Sequence, residues 1–418
     1  MNNTQYSEIG QKLSPPIISD LMAKALNNPS LLSIAAGFTD NVILPNHLIS
    51  EGTQDLLQKN ISNDVLQYGT TQGRLRLREE VLKHLNSYPS ESVDLESDNV
   101  LISNGSQQSL YLCMQVLCNP GDIILVEDPS YFVFLEMLQG LNIQAIGMPS
   151  DNCGKTDIDK TRKLIHQLKE ENRWNRVKGA YLVSYYSNPS SRSLPLDEKI
   201  ALCNLFKDTG LNGPIIEDAA YRDLYYDAPH PAPSLLSMAE AKDCRLLYTS
   251  TFTKPLATGL KVGYSISNDP ELLQKMIYCK GHHDFGTANF NQALIEQILV
   301  KGLYPELLRK QQTHYKDKAI VIHEELRQSG IAEFGWKCEK PMGGLLLWLI
   351  DPLNRVDTSM NSEFCNACLN AGVLYVPGDL CFASQTPKSA MRLSFGTLKP
   401  EDLRVAIQRL CDVIQKYI

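Results

Sequence analysis

Lys254 lies in the stretch YTSTFTKPLATGLKVGY, between two apolar runs and beside the hydroxyls of Thr249, Ser250, Thr251 and Thr253. A lysine amine condenses with carbonyl compounds once its charged form is disfavoured. Hydroxyls packed this densely, with Lys261 seven residues on, suit a phosphate dianion. Taken alone, a lysine in a polar loop also reads as a solvated surface side chain. Asp218 closes the run IIED ahead of AAY. At the carboxyl end of a strand in an open α/β sheet it stands where ligands bind. A carboxylate there can hold a protonated ring nitrogen and make a pyridine ring an electron sink, although aspartate at such a point also caps helices. Tyr221, three residues on, can reach a ring hydroxyl or fill the core. In SYYSNPSS the proline fixes a turn and Asn188 offers an amide donor to a phenolate oxygen; an Asn-Pro pair is also an ordinary turn. NGSQQSLYL is a glycine turn opening a helix, where backbone N–H groups favour phosphate and Ser106 and Gln107 would be the contacts. Tyr131, in EDPSYFVF, is placed to stack on a planar ring or to pack in the core. Arg392 lies in the apolar strand MRLSFG, where a guanidinium needs an anionic partner. That partner is either a protein carboxylate or a substrate carboxylate gripped at two points.

Strand and helix patterns alternate from about residue 98 onward. NVLISNG, GDIILVEDPS, VKGAYLVSYYSNP, GPIIEDAAY, CRLLYTSTF and LKVGYSIS read as strands. SQQSLYLCMQVLC and the stretches 157–172 and 196–209 read as helices. This alternation predicts an α/β domain whose sheet is mainly parallel and covered by helices. After about residue 290 long helical patterns take over, at 291–299 and 304–328. GGLLLWLI, a helix near 362–370, the strands VLYVP and AMRLSFG, and a helix from Pro400 onward follow, which predicts an α+β second domain. The expected division is an N-terminal arm, residues 1–45, packing on the small domain, a large domain, residues 46–290, and a small C-terminal domain, residues 291–418.

The 418 residues carry a net charge of -7, which argues against nonspecific nucleic-acid binding. No apolar run reaches membrane-spanning length. Residues 1–10 are polar and lack the basic start and apolar stretch of a secretory signal, so a cytoplasmic setting is expected. Eleven cysteines are scattered without a framework, and most read as reduced thiols in apolar surroundings. Cys365 and Cys368 have CxxC spacing, but no second pair follows, and on a helix both share one face. No metal site is expected.

In order along the chain, GSQQ, DPSY, NP, DAAY, TFTK followed by GLKVGY, and MRLSFG resemble class I/II pyridoxal-phosphate (PLP)-dependent aminotransferases of fold type I. The branch most resembled is that of the 2-aminoadipate, aromatic and kynurenine aminotransferases. The resemblance runs from about Ala36 to the C-terminal helix. It implies a large α/β domain with a mainly parallel seven-stranded sheet flanked by helices, plus a smaller α+β domain. It also implies roles. Lys254 resembles the lysine that holds PLP as a Schiff base and shuttles protons. Asp218 resembles the partner of the pyridine nitrogen, and Asn188 and Tyr221 the pair on the ring oxygen. Tyr131 resembles the stacking aromatic. Ser106, Gln107, Thr251 and Lys261 resemble the phosphate cup. Arg392 resembles the clamp on the substrate α-carboxylate, with Asn188 beside it. Gly37, in AAGFTDN, matches the family's substrate-binding segment. Tyr68, in VLQYGTTQG, resembles the tyrosine that reaches the phosphate of the neighbouring subunit's site, which implies a homodimer with shared active sites.

Some positions depart from the family pattern. NPSS replaces NPTG, Lys261 stands where arginine is more common, and Thr39 where proline is. Arg74 and Arg76 follow Tyr68 near the expected entrance, to read an acidic substrate tail or to form surface salt bridges. His282, His283 and Asp284 fall near the expected dimer interface, where hydrogen bonding is expected rather than a metal. The activity implied is transamination in amino-acid metabolism or biosynthesis, between an L-amino acid and a 2-oxo acid. These are small-molecule partners, with no nucleic acid and no membrane. The same site supports PLP-dependent β- or γ-elimination, cyclisation or oxidation, and the NPSS turn and Thr39 keep that class open. A regulator built on this fold would carry a DNA-binding domain ahead of it, for which a substrate segment near residue 34 is expected to leave no room.

Overall fold

The structure is a computed structural model; it describes residues 30–59, 64–151, 154–384 and 389–418, with scattered positions before residue 30. Numbered along the chain, β1 is the short strand Leu32–Ser33. Seven strands then form the main sheet: β2 (Val100–Ser103), β3 (Ile123–Val126), β4 (Gln144–Gly147), β5 (Val177–Val183), β6 (Ile215–Asp218), β7 (Leu246–Thr251) and β8 (Gly263–Ser267). Their order across the sheet is β2-β8-β7-β6-β5-β3-β4. Strands β3 to β7 pair in parallel, and β8 runs antiparallel to both of its neighbours.

The central strands read as near-continuous apolar runs because both faces of the sheet are covered. On one face, Ile165, Leu168, Leu202, Leu205 and Phe206 from the helices Ile158–Glu170 and Leu196–Thr209 pack on Ile123, Leu125 and Leu182. On the other, the helices Gly105–Leu117, Phe132–Gly140 and Pro270–His283 cover Ile124, Val126, Tyr181 and Ile216. The edge strand β4, QAIG, went unrecognised in the sequence. It is short, holds an exposed Gln144, and shows neither a long apolar run nor clean alternation.

A smaller antiparallel sheet orders β9 (Leu346–Ile350), β11 (Val376–Pro377) and β12 (Ala390–Ser394) as β11-β12-β9. The helices Tyr304–Gln328, Glu363–Asn370 and Pro400–Tyr417 accompany it. In the last of these, Leu403, Ala406, Ile407, Leu410 and Ile414 are buried, the i, i+3, i+4, i+7 stripe of an amphipathic helix. Cys365 and Cys368 are both buried core residues. Strand β1 pairs in parallel with β10 (Val373–Leu374). Just beyond, Ser394 N donates to the Ile34 carbonyl at 2.7 Å, so residues 34–37 are laid beside β12. Among the described residues no helix is long and apolar enough to cross a membrane.

Candidate active site

Strands β5 and β6 end together, with Val183 opposite Asp218, and β7 runs two residues past Thr249, the residue opposite Asp218. Strand β8 starts at that same edge, its Gly263 facing Thr251 on one side and Ser103 on the other. The carboxyl edge of parallel strands is where an α/β sheet opens a crevice and helix N-termini point inward. Chain segments far apart in sequence therefore deliver their side chains to one place.

Lys254 follows the end of β7. Its Nζ donates to the Gly37 carbonyl at 2.7 Å and sits 5.9 Å from the centroid of the Tyr221 ring. Among the described residues no carboxylate pairs with it. Burial first, then the positive charges of Arg392 and Lys261, bring its amine down to about 8. An amine held there keeps a substantial unprotonated fraction near neutral pH, which imine formation requires.

Asp218 is buried at the end of β6. Its Oδ1 accepts from Ala220 N at 3.0 Å, a turn contact rather than a helix cap, and its Oδ2 accepts from the Tyr181 hydroxyl at 2.8 Å. Burial raises the carboxyl to about 6 against the pull of those two donors, so it remains mostly ionised at neutral pH. Burial pushes the Tyr221 hydroxyl up to about 12 and raises Tyr131 as well, so both stay neutral. Tyr131 is within electrostatic reach of Tyr221, Asp218 and Arg392, so these groups lie near one another.

Arg392, on β12, is buried. Its Nη1 donates to Asn188 Oδ1 at 3.2 Å and its Nη2 to the Ala35 carbonyl at 2.5 Å, while Nε has no partner. The guanidinium carbon lies 5.2 Å from the Phe132 ring centroid. No carboxylate approaches it among the described residues, so a protein acid is not its anionic partner. With its oxygen engaged by Arg392, Asn188 presents donors at the other end of its amide. A side chain on Gly37 would start 3.9 Å from Arg392 Nη2, so this segment borders both Lys254 and Arg392.

The turn before the helix Gly105–Leu117 has its own geometry. Gly105 has φ +72, and the Ser103 hydroxyl donates to its carbonyl at 2.9 Å. Asn104 gives no side-chain cap, which leaves first-turn N–H groups as donors. A Cβ at Gly263 would come within 2.5 Å of Gly105 C and 2.6 Å of Ser106 N. Only glycine lets β8 run against the turn this closely. A Cβ at Gly105 would sit 3.6 Å from Thr253 Oγ1 and 4.0 Å from Thr251 Oγ1, so hydroxyls and helix N-terminus face the same space. Lys261, exposed two residues before β8, adds positive charge felt at Lys254. Gln107 is exposed on the first turn.

Tyr68 is not part of this cluster. It is 81% exposed and packs edge-on against Phe285, with ring centroids 5.4 Å apart. Arg74 is engaged by Glu296 at 2.9 Å and Asp64 at 3.5 Å, and Arg76 by Glu79 and Glu80. Asp284 accepts from Lys280 at 2.7 Å, Gln108 at 2.6 Å and Asn104 at 2.8 Å. Among the described residues no cluster of His, Cys, Asp and Glu is arranged to hold a metal ion. Sequence reasoning missed Tyr181, Ala35 and Asp40. Asp40 anchors the segment after Gly37 through His314, at 3.0 Å, and Lys318. The sequence offered a sign of Tyr181 only: a tyrosine in an otherwise buried strand needs a partner for its hydroxyl.

The family model for aminotransferase class I and II matches residues 38–410. The chain is 30% identical over 417 residues to aromatic-amino-acid aminotransferase 1 of Thermococcus litoralis, covering 98% of this chain and 94% of that protein. It is 29% identical over 390 residues to 2-aminoadipate transaminase of Thermus thermophilus, covering 93% of this chain and 91% of the relative. A crystal structure of Pyrococcus horikoshii kynurenine aminotransferase, in complex with PMP, KYN and KYA, matches with a TM-score of 0.87 at 27% identity, over 99% of this chain and 97% of that one. The chain therefore belongs to the class I and II aminotransferases. It is an enzyme of amino-group transfer with the fold type I architecture of that PLP-dependent family.

Proposed function

We propose that this enzyme moves the amino group of an L-amino acid to a 2-oxo acid with pyridoxal 5'-phosphate bound at Lys254. The observation that carries the proposal is a pair of cations brought to one chain segment: Lys254 Nζ on the Gly37 carbonyl and the buried Arg392 on the Ala35 carbonyl, neither paired with a carboxylate among the described residues. The residues fit the cofactor. The uncapped helix start at Ser106 and Gln107, the hydroxyls of Thr251 and Thr253, and the charge of Lys261 suit its phosphate. Asp218 suits the ring nitrogen, Asn188 and Tyr221 the ring oxygen, and Tyr131 a ring face. When bound, PLP supplies a carbonyl carbon for the substrate amine and an electron-withdrawing ring.

Arg392 binds the substrate α-carboxylate through its guanidinium, whose unpartnered Nε lies in the buried site. Gly37 and Asn188 flank that carboxylate. Lys254 Nζ removes the α-proton as general base and returns it as general acid, for which an amine near neutral pKa is suited. Asp218, held as an acceptor, keeps a proton on the ring nitrogen. Burial of Asp218, Tyr221 and Arg392 excludes water from the reacting groups. Tyr68, solvent-facing in its own chain, is supplied to the phosphate of a second copy, so the working unit is a homodimer. The relatives' names span aromatic amino acids, 2-aminoadipate and kynurenine, which are the donors to try first.

The test is to add PLP to the purified protein, reduce with borohydride and map the modified peptide. The adduct is expected on Lys254, and turnover is expected to require a 2-oxo acid acceptor. Lys254→Ala should form no adduct at that position and lose at least about 10³-fold in turnover. An adduct elsewhere, full activity in the variant, or ammonia released without any acceptor would overturn the proposal.

A further inference from the structure

Tyr181 lies on β5 opposite Ile216, so Asp218 is its diagonal neighbour on the same face of the sheet. That face is apolar around it. Phe134 packs on the tyrosine ring at 4.1 Å between centroids, with Val126, Ile216 and Leu247 in the same cluster. A hydroxyl carried into such a place must find a partner. It finds Asp218 Oδ2 at 2.8 Å, and both residues are buried.

The contact has a direction. Burial and the nearby Asp218 charge raise the Tyr181 hydroxyl well above its ordinary value, so it stays protonated and donates. Asp218 then has one protein donor on each oxygen, Tyr181 on Oδ2 and Ala220 N on Oδ1. Each oxygen keeps acceptor capacity for a further N–H. The other titratable groups facing the pair are Glu127 at the end of β3, Tyr131 at the start of the helix Phe132–Gly140, and Tyr221 on the Asp218 turn. Burial lifts Glu127 to about 8, so it adds little negative charge at neutral pH. Tyr131 and Tyr221 are neutral there. Of these groups Tyr181 alone hydrogen-bonds the Asp218 side chain among the described residues.

We infer that Tyr181 is a positioning residue for amino transfer, holding the Asp218 carboxylate as the acceptor for the ring nitrogen of the cofactor. The inference rests on the PLP site proposed above. Its physical content is that burial drives Asp218 toward the protonated form, in which it cannot accept from a ring N–H along the same oxygen, and that the Tyr181 donor opposes this. The sign follows. Asp218 must be ionised to act, so activity falls as pH drops through its pKa, and losing the donor moves that fall to higher pH.

The experiment compares wild type and Tyr181→Phe, both reconstituted with PLP. The Lys254 adduct should still form in the variant. The acid limb of the kcat–pH profile should move up by about one unit, a loss of roughly fivefold at pH 6 that fades above pH 8. PLP should dialyse away faster from the variant, and the pH titration of the bound cofactor's visible absorbance should shift. Replacing Tyr181 by 3-fluorotyrosine, a stronger donor of nearly equal volume, should move the acid limb down, and it decides the matter if Tyr181→Phe fails to fold. A loss equal at every pH, with unchanged absorbance titration, would reduce Tyr181 to core packing and overturn the inference, as would no change at all. Failure of wild type to trap PLP on Lys254 would instead break the proposed function.

Discussion

Two sets of buried cations are treated in opposite ways by this molecule. Among the described residues, Arg78, Lys199, Arg222, Lys280 and Lys318 are buried, and each pairs with a carboxylate: Asp98, Glu217, Glu91, Asp284 and Asp40 respectively. The Lys199 pair is the fullest case. Its Nζ lies 2.8 Å from Glu217 and also donates to the Tyr185 hydroxyl at 3.0 Å and the Pro233 carbonyl at 2.7 Å. Arg222 beside it pairs with Glu91 and lies over the rings of Tyr88 and Tyr185, at 4.4 Å from each centroid. Arg392 is just as buried, yet only neutral groups and a ring touch it. A buried charge without a counter-ion is costly. The fold pays that cost at Arg392 and at no other buried Lys or Arg among the described residues. Cations with an internal acid hold elements together; the one without is the guanidinium proposed above to take an external anion.

Removing each kind of charge tests that contrast. The largest effect is expected for Arg392→Met. Two charge-assisted hydrogen bonds to substrate are lost, at about 1.5–3 kcal/mol each, so kcat/KM should fall roughly 10³-fold in steady-state kinetics. Thermal melting of the same variant should hold steady or rise, because an uncompensated buried charge has gone. A large drop in melting temperature would show that Arg392 is structural and break the contrast. Next comes Glu217→Gln, which strips Lys199 of its acid. The expected cost is about 3 kcal/mol of stability, seen as a lower urea midpoint, with kcat/KM of the folded enzyme within a few fold of wild type. An unchanged midpoint would mean that the paired set contributes no more than the unpaired one. Smallest is Arg76→Ala. Its side chain is 55% exposed and pairs with Glu79 and Glu80, so stability should change by less than about 0.5 kcal/mol. A raised KM confined to acidic donors would instead assign Arg76 to substrate binding.

Much of the candidate site was legible because its residue types are rare in their settings. A lysine among hydroxyls, an aspartate closing an apolar strand and an arginine inside one each stood out, and their order along the chain carried the family resemblance. The sheet was legible too, since doubly covered strands leave apolar runs such as β3 and β5. Strand β4 was hidden by being short and at the edge. The role of Tyr181 was hidden for a different reason. Its partner lies 37 residues away, and only strand pairing makes the two diagonal neighbours.

By itself the sequence determined what each segment could become and which side chains were capable of the chemistry, because periodicity and side-chain type are local properties. It left open whether Arg392 faced a protein acid. Only tertiary structure decided that, by bringing Ala35 against Arg392 across 357 residues and Gly37 against Lys254 across 217, with no carboxylate in either contact. Long-range contacts of this kind depend on how the two sheets and the N-terminal segment pack, and no spacing along the chain encodes them.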